Sequence, residues 1–343
     1  MKKKWIAVSI LSVLCGAVII LICTFFGAAD ITIKDTLITL ANRLCGLFDE
    51  EAAALGSKTT IIWSLRFPRS LLAFLTGGAL SVCGGVYQAI FKNPMADPFV
   101  LGISSGAAFG ATIGIVLAVP AAVLGMNTVS VFAFVGALAA IFFVYNIAKV
   151  GRQANTTSLL LCGIAVNQLL TAVISFIMLI ASNEMKQIYF WTLGSFSARS
   201  WEHVITVLPY AVVGLAVIFI FARELDIMVM GDETAVRFGV NVERNKRVLF
   251  LATSLIMAAC VSVSGIIGFI GLVSPHIIRL IFGPVHRRLL PMSFLLGGAV
   301  LCICDTIARS VMAAEIPVGI ITAIVGAPFF IYLLRARNDE VIQ

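Results

Sequence analysis

The sequence predicts an all-α polytopic membrane protein with about ten transmembrane helices. Three observations carry this expectation. Hydrophobic residues fill 60% of the 343 positions and charged residues only 12%, against about 25% charged in soluble domains. Apolar runs of about 20 residues, each able to cross the hydrocarbon core as a helix, recur along the whole chain. Charge instead gathers in one island, 223–247, where Arg223, Glu224, Asp226, Asp232, Glu233, Arg237, Glu243, Arg244, Lys246 and Arg247 lie.

The spans follow in order. Lys2-Lys3-Lys4 precede an apolar run ending at Phe26, longer than the roughly 7–15 residues of a signal-peptide core. Although Gly27-Ala28-Ala29 offers cleavage residues, 5–26 is expected to stay as the first helix. Further helices are expected at 68–90, 99–118, 128–148, 158–181, 204–222, 248–265, 269–283, 290–308 and 317–334. Only Gly265-Ile266-Ile267-Gly268 separates the seventh from the short eighth. An even count puts both termini on one side of the membrane. With that side cytoplasmic, only Lys34, Arg43, Lys58, Arg66, Arg69, Lys186, Arg199 and Arg309 of the 24 basic residues lie outside. The positive-inside rule favours this orientation. Residues 1–343 are therefore expected to form a single domain in the cell membrane, with 223–247 as a cytoplasmic loop.

The surplus of seven positive charges then serves topology and is no nucleic-acid signal. Seven of the eight cysteines sit in apolar segments, without a CxxC pair or a Cys/His cluster, so neither a disulfide framework nor a metal is expected. Outside lie three longer segments, 27–65, 182–203 and 309–316. Trp191 and Trp201 bracket Gly194-Ser195-Phe196 in the second, which suits an interfacial position.

Several patterns carry possible chemistry. Gly102, Gly106, Gly110 and Gly114 recur every four residues, which bares one helix face for close packing or for a moving pathway. In Arg66-Phe67-Pro68-Arg69 the proline suits a helix's first turn. The two arginines either snorkel to headgroups or, joined by Arg309, form an outer basic patch for a partner's carboxylates. Lys92-Asn93-Pro94-Met95-Ala96-Asp97-Pro98 reads as a structured inner turn, because two prolines bar helix. Asn155 or Thr156 suits a helix cap. In the island, Asp232 is a suitable N-cap and Gly239 a suitable stop for a short helix over Glu233, Thr234, Ala235, Arg237 and Phe238. That loop is either ordinary positive-inside sequence or a docking element for a soluble partner.

Asp305 is the one carboxylate well inside an expected span, which makes it a functional candidate. Pairing with a nearby base is its simpler role, and His276 suits an interhelical hydrogen bond. No G-x-x-x-x-G-K-[ST] run occurs, so nucleotide, if used, binds to another subunit. No catalytic constellation or cofactor motif is present, and no enzyme activity is expected. An ion-gradient carrier remains an alternative, motivated by Asp305 and opposed by the scarcity of buried carboxylates.

Four stretches then match a known pattern. RFPRSLLAFLTGGALSVCGGVYQAIFKNPMADPFVLGISSGAAFGA (66–111), GDETAVRFGVNVERNKRV (231–248), GFIGLVSPHIIRLIFGPVHRRLLP (268–291) and EIPVGIITAIVGAPFFIYLLR (315–335) closely resemble FecCD-type permeases of ABC importers. The resemblance implies the BtuC-like type II importer fold, a homodimer, two cytoplasmic ATPase subunits and an extracytoplasmic binding protein. It implies an iron–siderophore cargo first, with haem or cobalamin as alternatives. By this likeness Arg66, Arg69 and Arg309 meet acidic residues of the binding protein. Asn93, Met95, Thr156 and Thr157 close the pathway from inside. Residues 231–247 hold the coupling helix that seats in the ATPase.

Overall fold

The chain, seen in a computed structural model, is described over residues 2–27, 29–118, 128–150, 153–154, 156–312 and 314–341. Helix α1 (Lys2–Phe25) leads to three short helices, α2 (Ile33–Cys45), α3 (Asp49–Ala54) and α4 (Ser57–Thr60). A π-helical stretch, Ile61–Arg66, then runs directly into α5 (Phe67–Ile90). A 3₁₀ turn at Pro98–Leu101 precedes α6 (Ile103–Leu117), followed by α7 (Thr128–Ala148). A minimal antiparallel ladder, β1 (Lys149–Val150) on β2 (Gln153–Ala154), joins α7 to α8 (Thr156–Ile180). The remainder is α9 (Met185–Thr192), α10 (Trp201–Ile220), α11 (Ala222–Val229), α12 (Asp232–Arg237), α13 (Val242–Ser264), α14 (Ile270–Phe282), α15 (His286–Ser310) and α16 (Val318–Val341).

The ten expected spans correspond to α1, α5, α6, α7, α8, α10, α13, α14, α15 and α16. Six of these are by themselves long and apolar enough to cross a membrane. Helices α6 and α14 are shorter, at Ile103–Leu117 and Ile270–Phe282, and among the described residues α1 and α16 contribute the apolar stretches Ser12–Phe25 and Val318–Tyr332. Residues 265–268 do interrupt α13 and α14. The expected third span starts late, because Gly102 adopts a φ of 82° between the 3₁₀ turn and α6. A side chain rarely takes that conformation. Gly102 is therefore the turn before the helix and no part of the packing face.

Helix α5 is the buried axis of the bundle, packed on α15, α14, α10 and α13. Glycine makes this possible by letting backbones touch. A methyl group at Gly84 would overlap the Gly271 carbonyl of α14, and one at Gly77 the Gly297 carbonyl of α15. Gly106 and Gly110 similarly face the Gly136 and Phe132 carbonyls of α7. Because the obstructing atoms are backbone, relief requires the helices to part. Gly84→Val is expected to destabilise the chain by about 1–3 kcal/mol from overpacking alone, which a lower melting temperature in detergent would register. A melting temperature equal to wild type would refute the contact.

The outer ring is built differently. Helices α7, α8 and α10 turn large apolar side chains outward, including Phe142, Leu179 and Ile220, each over 70% exposed. Lipid is the solvent that tolerates such surface. The bundle thus has two ends. The first carries 29–66, α9, the 193–200 loop and 314–317; the second carries 91–98, α11, α12 and 283–285.

Candidate docking and gating sites

At the first end the three sequence-predicted arginines come together, but inside the protein. Arg66, Arg69 and Arg309 are 5%, 8% and 5% exposed. Arg69 grips Asp305, donating from Nη2 at 2.9 Å and from Nε at 3.0 Å, and its Nη1 donates to Glu315 at 2.9 Å. Arg309 lies one helical turn beyond Asp305, with Nε 3.8 Å from its Oδ2. It donates to the Cys23 carbonyl at 2.6 Å and to the Ser70 hydroxyl at 3.1 Å. Arg66 donates to the Phe25 and Ala29 carbonyls. In the chain alone these residues clasp α1, α5 and α15 together, and they do not form the exposed basic patch expected above.

Asp305 is indeed paired with nearby bases. Fully sheltered and shared by two guanidinium groups, it offers no free carboxylate for ion-driven transport. The half-exposed member is Glu315, with 40% of its side chain accessible. Burial pushes its carboxyl upward, but the Arg69 hydrogen bond and charge, with the Ser197 hydroxyl, outweigh this and hold it below the usual range.

The neighbouring loop is fixed by its own backbone. Gly194 takes φ 70° and packs against the Ile266 carbonyl, the Ser195 N–H donates to the Ser264 carbonyl at 2.7 Å, and Phe196 is wholly buried. Trp201 anchors the start of α10, its Nε1 donating to the Trp63 carbonyl at 2.8 Å. Trp63, Phe67 and Trp201 cluster there.

At the second end α12 is the short helix expected in the charged island. Gly239, at φ 80°, ends it, with its N–H returning to the Val236 carbonyl at 2.9 Å. Asp232 is no cap: Gly231 occupies that position, and Asp232 is the first helical residue. Its carboxylate instead receives Lys92 Nζ at 2.7 Å and Lys246 Nζ at 2.6 Å. Burial is the largest single influence and raises its carboxyl, yet the hydrogen bonds and charges of Lys246 and Lys92 together outweigh it and hold it below the usual range. Met228, Ala235, Val240 and Val242 form a small core beneath the helix. Val236 and Phe238 face outward, 62% and 70% exposed. Sequence reading missed α11, the amphipathic helix before this unit, because its charges made it look like loop.

The 92–98 turn is structured as expected. Asn93 Oδ1 accepts the Met95 N–H at 3.0 Å, and Asp97 Oδ1 accepts the Phe99 N–H at 2.8 Å. Asn93 itself is exposed and Met95 half-buried. Through Lys92 this turn is tied directly to α12. The cap expected of Asn155 or of the Thr156 side chain lies outside the described residues. Thr157 begins an exposed stripe on α8 that continues through Ile164, Gln168, Thr171 and Ser175. Spacings of seven, four, three and four place these on one helical face. Thr171 and Ser175 bond back to their own helix, at 2.8 and 2.9 Å to the carbonyls of Asn167 and Thr171. His276 is half-buried on α14, and among the described residues no group of three or more His, Cys, Asp or Glu could hold a metal.

The comparisons with known proteins now bear on this geometry. A model of the FecCD transport family matches residues 11–336. The chain belongs to the FecCD transport family. It is 47% identical over 282 residues to the cobalamin import system permease of Halobacterium salinarum, covering 82% of this chain and 75% of that protein. Identity is 39% to the hemin transport system permease of Yersinia pestis, covering 81% and 84%. For an Fe(3+)-citrate import system permease of Bacillus subtilis it is 35%, covering 91% and 90%. A metal-chelate type ABC transporter solved in an inward-facing conformation superposes with a TM-score of 0.81 at 26% identity, covering 96% and 99%. This FecCD member is thus a multi-pass ABC importer permease, and is not itself catalytic.

Proposed function

We propose that this FecCD permease carries a metal chelate into the cytoplasm as one half of a homodimer, driven by two ATPase subunits bound at the α12 end. The observation that carries this reading is α12 itself. It is a short helix, braced by Asp232 on two lysines, whose Val236 and Phe238 lie exposed. A soluble subunit that buries them receives a firm lever, since Asp232, Glu233, Thr234, Ala235, Arg237, Phe238 and Gly239 form one short unit. In this orientation both termini and α12 are cytoplasmic.

The exposed stripe of α8, polar at Thr157, Gln168, Thr171 and Ser175 and apolar at Ile164, supports a passage along the axis between two copies. Hydroxyls already bonded to their own helix leave a wall that cargo wets without sticking. Asn93, Met95, Thr156 and Thr157, all at the inner end, form its gate. ATP binding favours whichever permease conformation fits the closed ATPase pair, and hydrolysis releases it. At the outer end a binding protein delivers cargo. Of Arg66, Arg69 and Arg309, Arg69 is best placed to take part in docking, because Glu315 on its Nη1 is partly exposed and can be displaced.

For the cargo, the relatives span cobalamin, haem and iron chelates. Cobalamin is the first ligand to test, given the 47% identity to a cobalamin import permease, ahead of the iron–siderophore expected from sequence. The test reconstitutes permease, ATPase and binding protein in liposomes. Uptake of cobalamin or an iron chelate that requires internal ATP is expected; uptake on an ion gradient without the ATPase would overturn the reading.

A further inference from the structure

Helix α11 stands between α12 and the bundle, and its buried residues serve different neighbours. Leu225 belongs to the main core, where α11 packs on α5 and α15, whereas Met228 belongs to the small core beneath α12. One polar residue joins this packing. Asp226 Oδ1 accepts the backbone N–H of His286 at 2.8 Å and lies 2.6 Å from the ring Nδ1 of the same residue. His286 opens α15, and Val285 before it supplies no side-chain cap. The first residue of this 25-residue helix is therefore capped from another helix, 60 positions earlier in the chain.

His286 gives the link its character. Its side chain is 5% accessible, and among the described residues its Nε2 has no hydrogen-bond partner. A carboxylate can only accept, so Nδ1 carries a proton and donates to Asp226. Neutral and charged rings both have such a form, so the bond does not hang on the charge of the ring. The carboxylate also sits at the positive end of the α15 dipole, where negative charge is favoured. The Asp232 pairs with Lys92 and Lys246 are more open to water, with 44% of the Asp232 side chain accessible. Exposed pairs of that kind hold weakly.

We infer that Asp226 is a positioning residue for transport, which through His286 passes the movement of α12 to α15. This rests on α12 being the place where the ATPase binds, as proposed above. From α12 the chain runs through 238–241 into α13, so that helix is moved covalently. Helix α15 has no such connection, and α11 is the element that packs on both α12 and α15. Apolar packing is non-directional and resists a push better than a pull or a slide. Two hydrogen bonds to one carboxylate fix direction and register, and charge-assisted bonds are the stronger kind. Moving α15 matters because its far end carries Asp305 and Arg309, the clasp on α1 and α5.

The test measures ATP hydrolysis and uptake on one liposome preparation holding permease, ATPase and binding protein, with cobalamin, haem and ferric citrate offered in turn. Asp226→Ala should leave ATPase co-purification and hydrolysis in place and lower uptake per ATP roughly tenfold, by loss of a charge-assisted contact. Asp226→Asn keeps the accepting Oδ1 and should recover most of it. Adding His286→Ala to Asp226→Ala should cost nothing further, because the two act through one contact. A purely structural role would lower hydrolysis, uptake and melting temperature together with uptake per ATP unchanged, and that result overturns the inference. Should Asp226→Ala fail to assemble, His286→Leu keeps the backbone bond and drops that of the ring. Uptake per ATP should then fall as well, and a ratio equal to wild type refutes the link. Absence of ATP-dependent uptake of all three cargoes by wild type would instead bring down the importer reading.

Discussion

Replacing Val236 and Phe238 together with aspartate is expected to abolish ATP-driven uptake while leaving the permease folded in the membrane. Both side chains already face outward, so the substitutions remove little packing within the chain. At an interface the same positions act differently. An aromatic anchor of this kind commonly accounts for about 2 kcal/mol or more of binding when truncated. Inserted carboxylates add the cost of burying charge. The ATPase should therefore bind at least roughly a hundredfold more weakly, measured by its co-purification with the permease and by uptake in liposomes. Phe238→Leu keeps an apolar anchor and should retain a large part of both. If the double variant transports normally, α12 is not where the ATPase pushes.

The second large effect is expected at the arginine clasp. Asp305→Ala should cost the folded chain about 3–5 kcal/mol, because it strands two buried guanidinium groups without their shared counter-charge. Thermal unfolding in detergent should start well below the wild-type temperature. Arg69→Met combined with Asp305→Leu should recover part of this loss, since apolar replacements remove the stranded charge on Arg69 as well. An ion-driven carrier makes the opposite forecast for Asp305→Ala, namely intact stability with transport lost. Measuring both quantities on one preparation separates the two.

Charge and hydropathy alone located the spans, because lipid permits few alternatives to apolar helices of this length. They also marked α12, since a helix between Gly231 and Gly239 has readable ends. What escaped was decided by tertiary contact. Arg66 and Arg69 looked like surface residues because sequence cannot show α1 and α15 closing over them. One local hint existed: Asp305 and Arg309 stand four apart, the spacing of a paired helical turn. Asp232 resembled a cap by residue type, whereas its actual partners, Lys92 and Lys246, come from two other segments. Gly102 fell on the four-residue rhythm of its neighbours, yet a positive φ removed it from their helix.

The glycine contacts have a mechanical consequence. Where a carbonyl of α14 or α15 occupies the space a Cβ would need at Gly84 or Gly77, one helix cannot slide along the other. Any axial step would drive a real side chain into that carbonyl. Helices α5, α14 and α15 are thereby locked against sliding on one another, and α6 against α7. Any opening and closing is left to tilts between these two groups. The lever proposed for α12 can then be small, because contacts of this kind leave less of the bundle free to absorb a stroke.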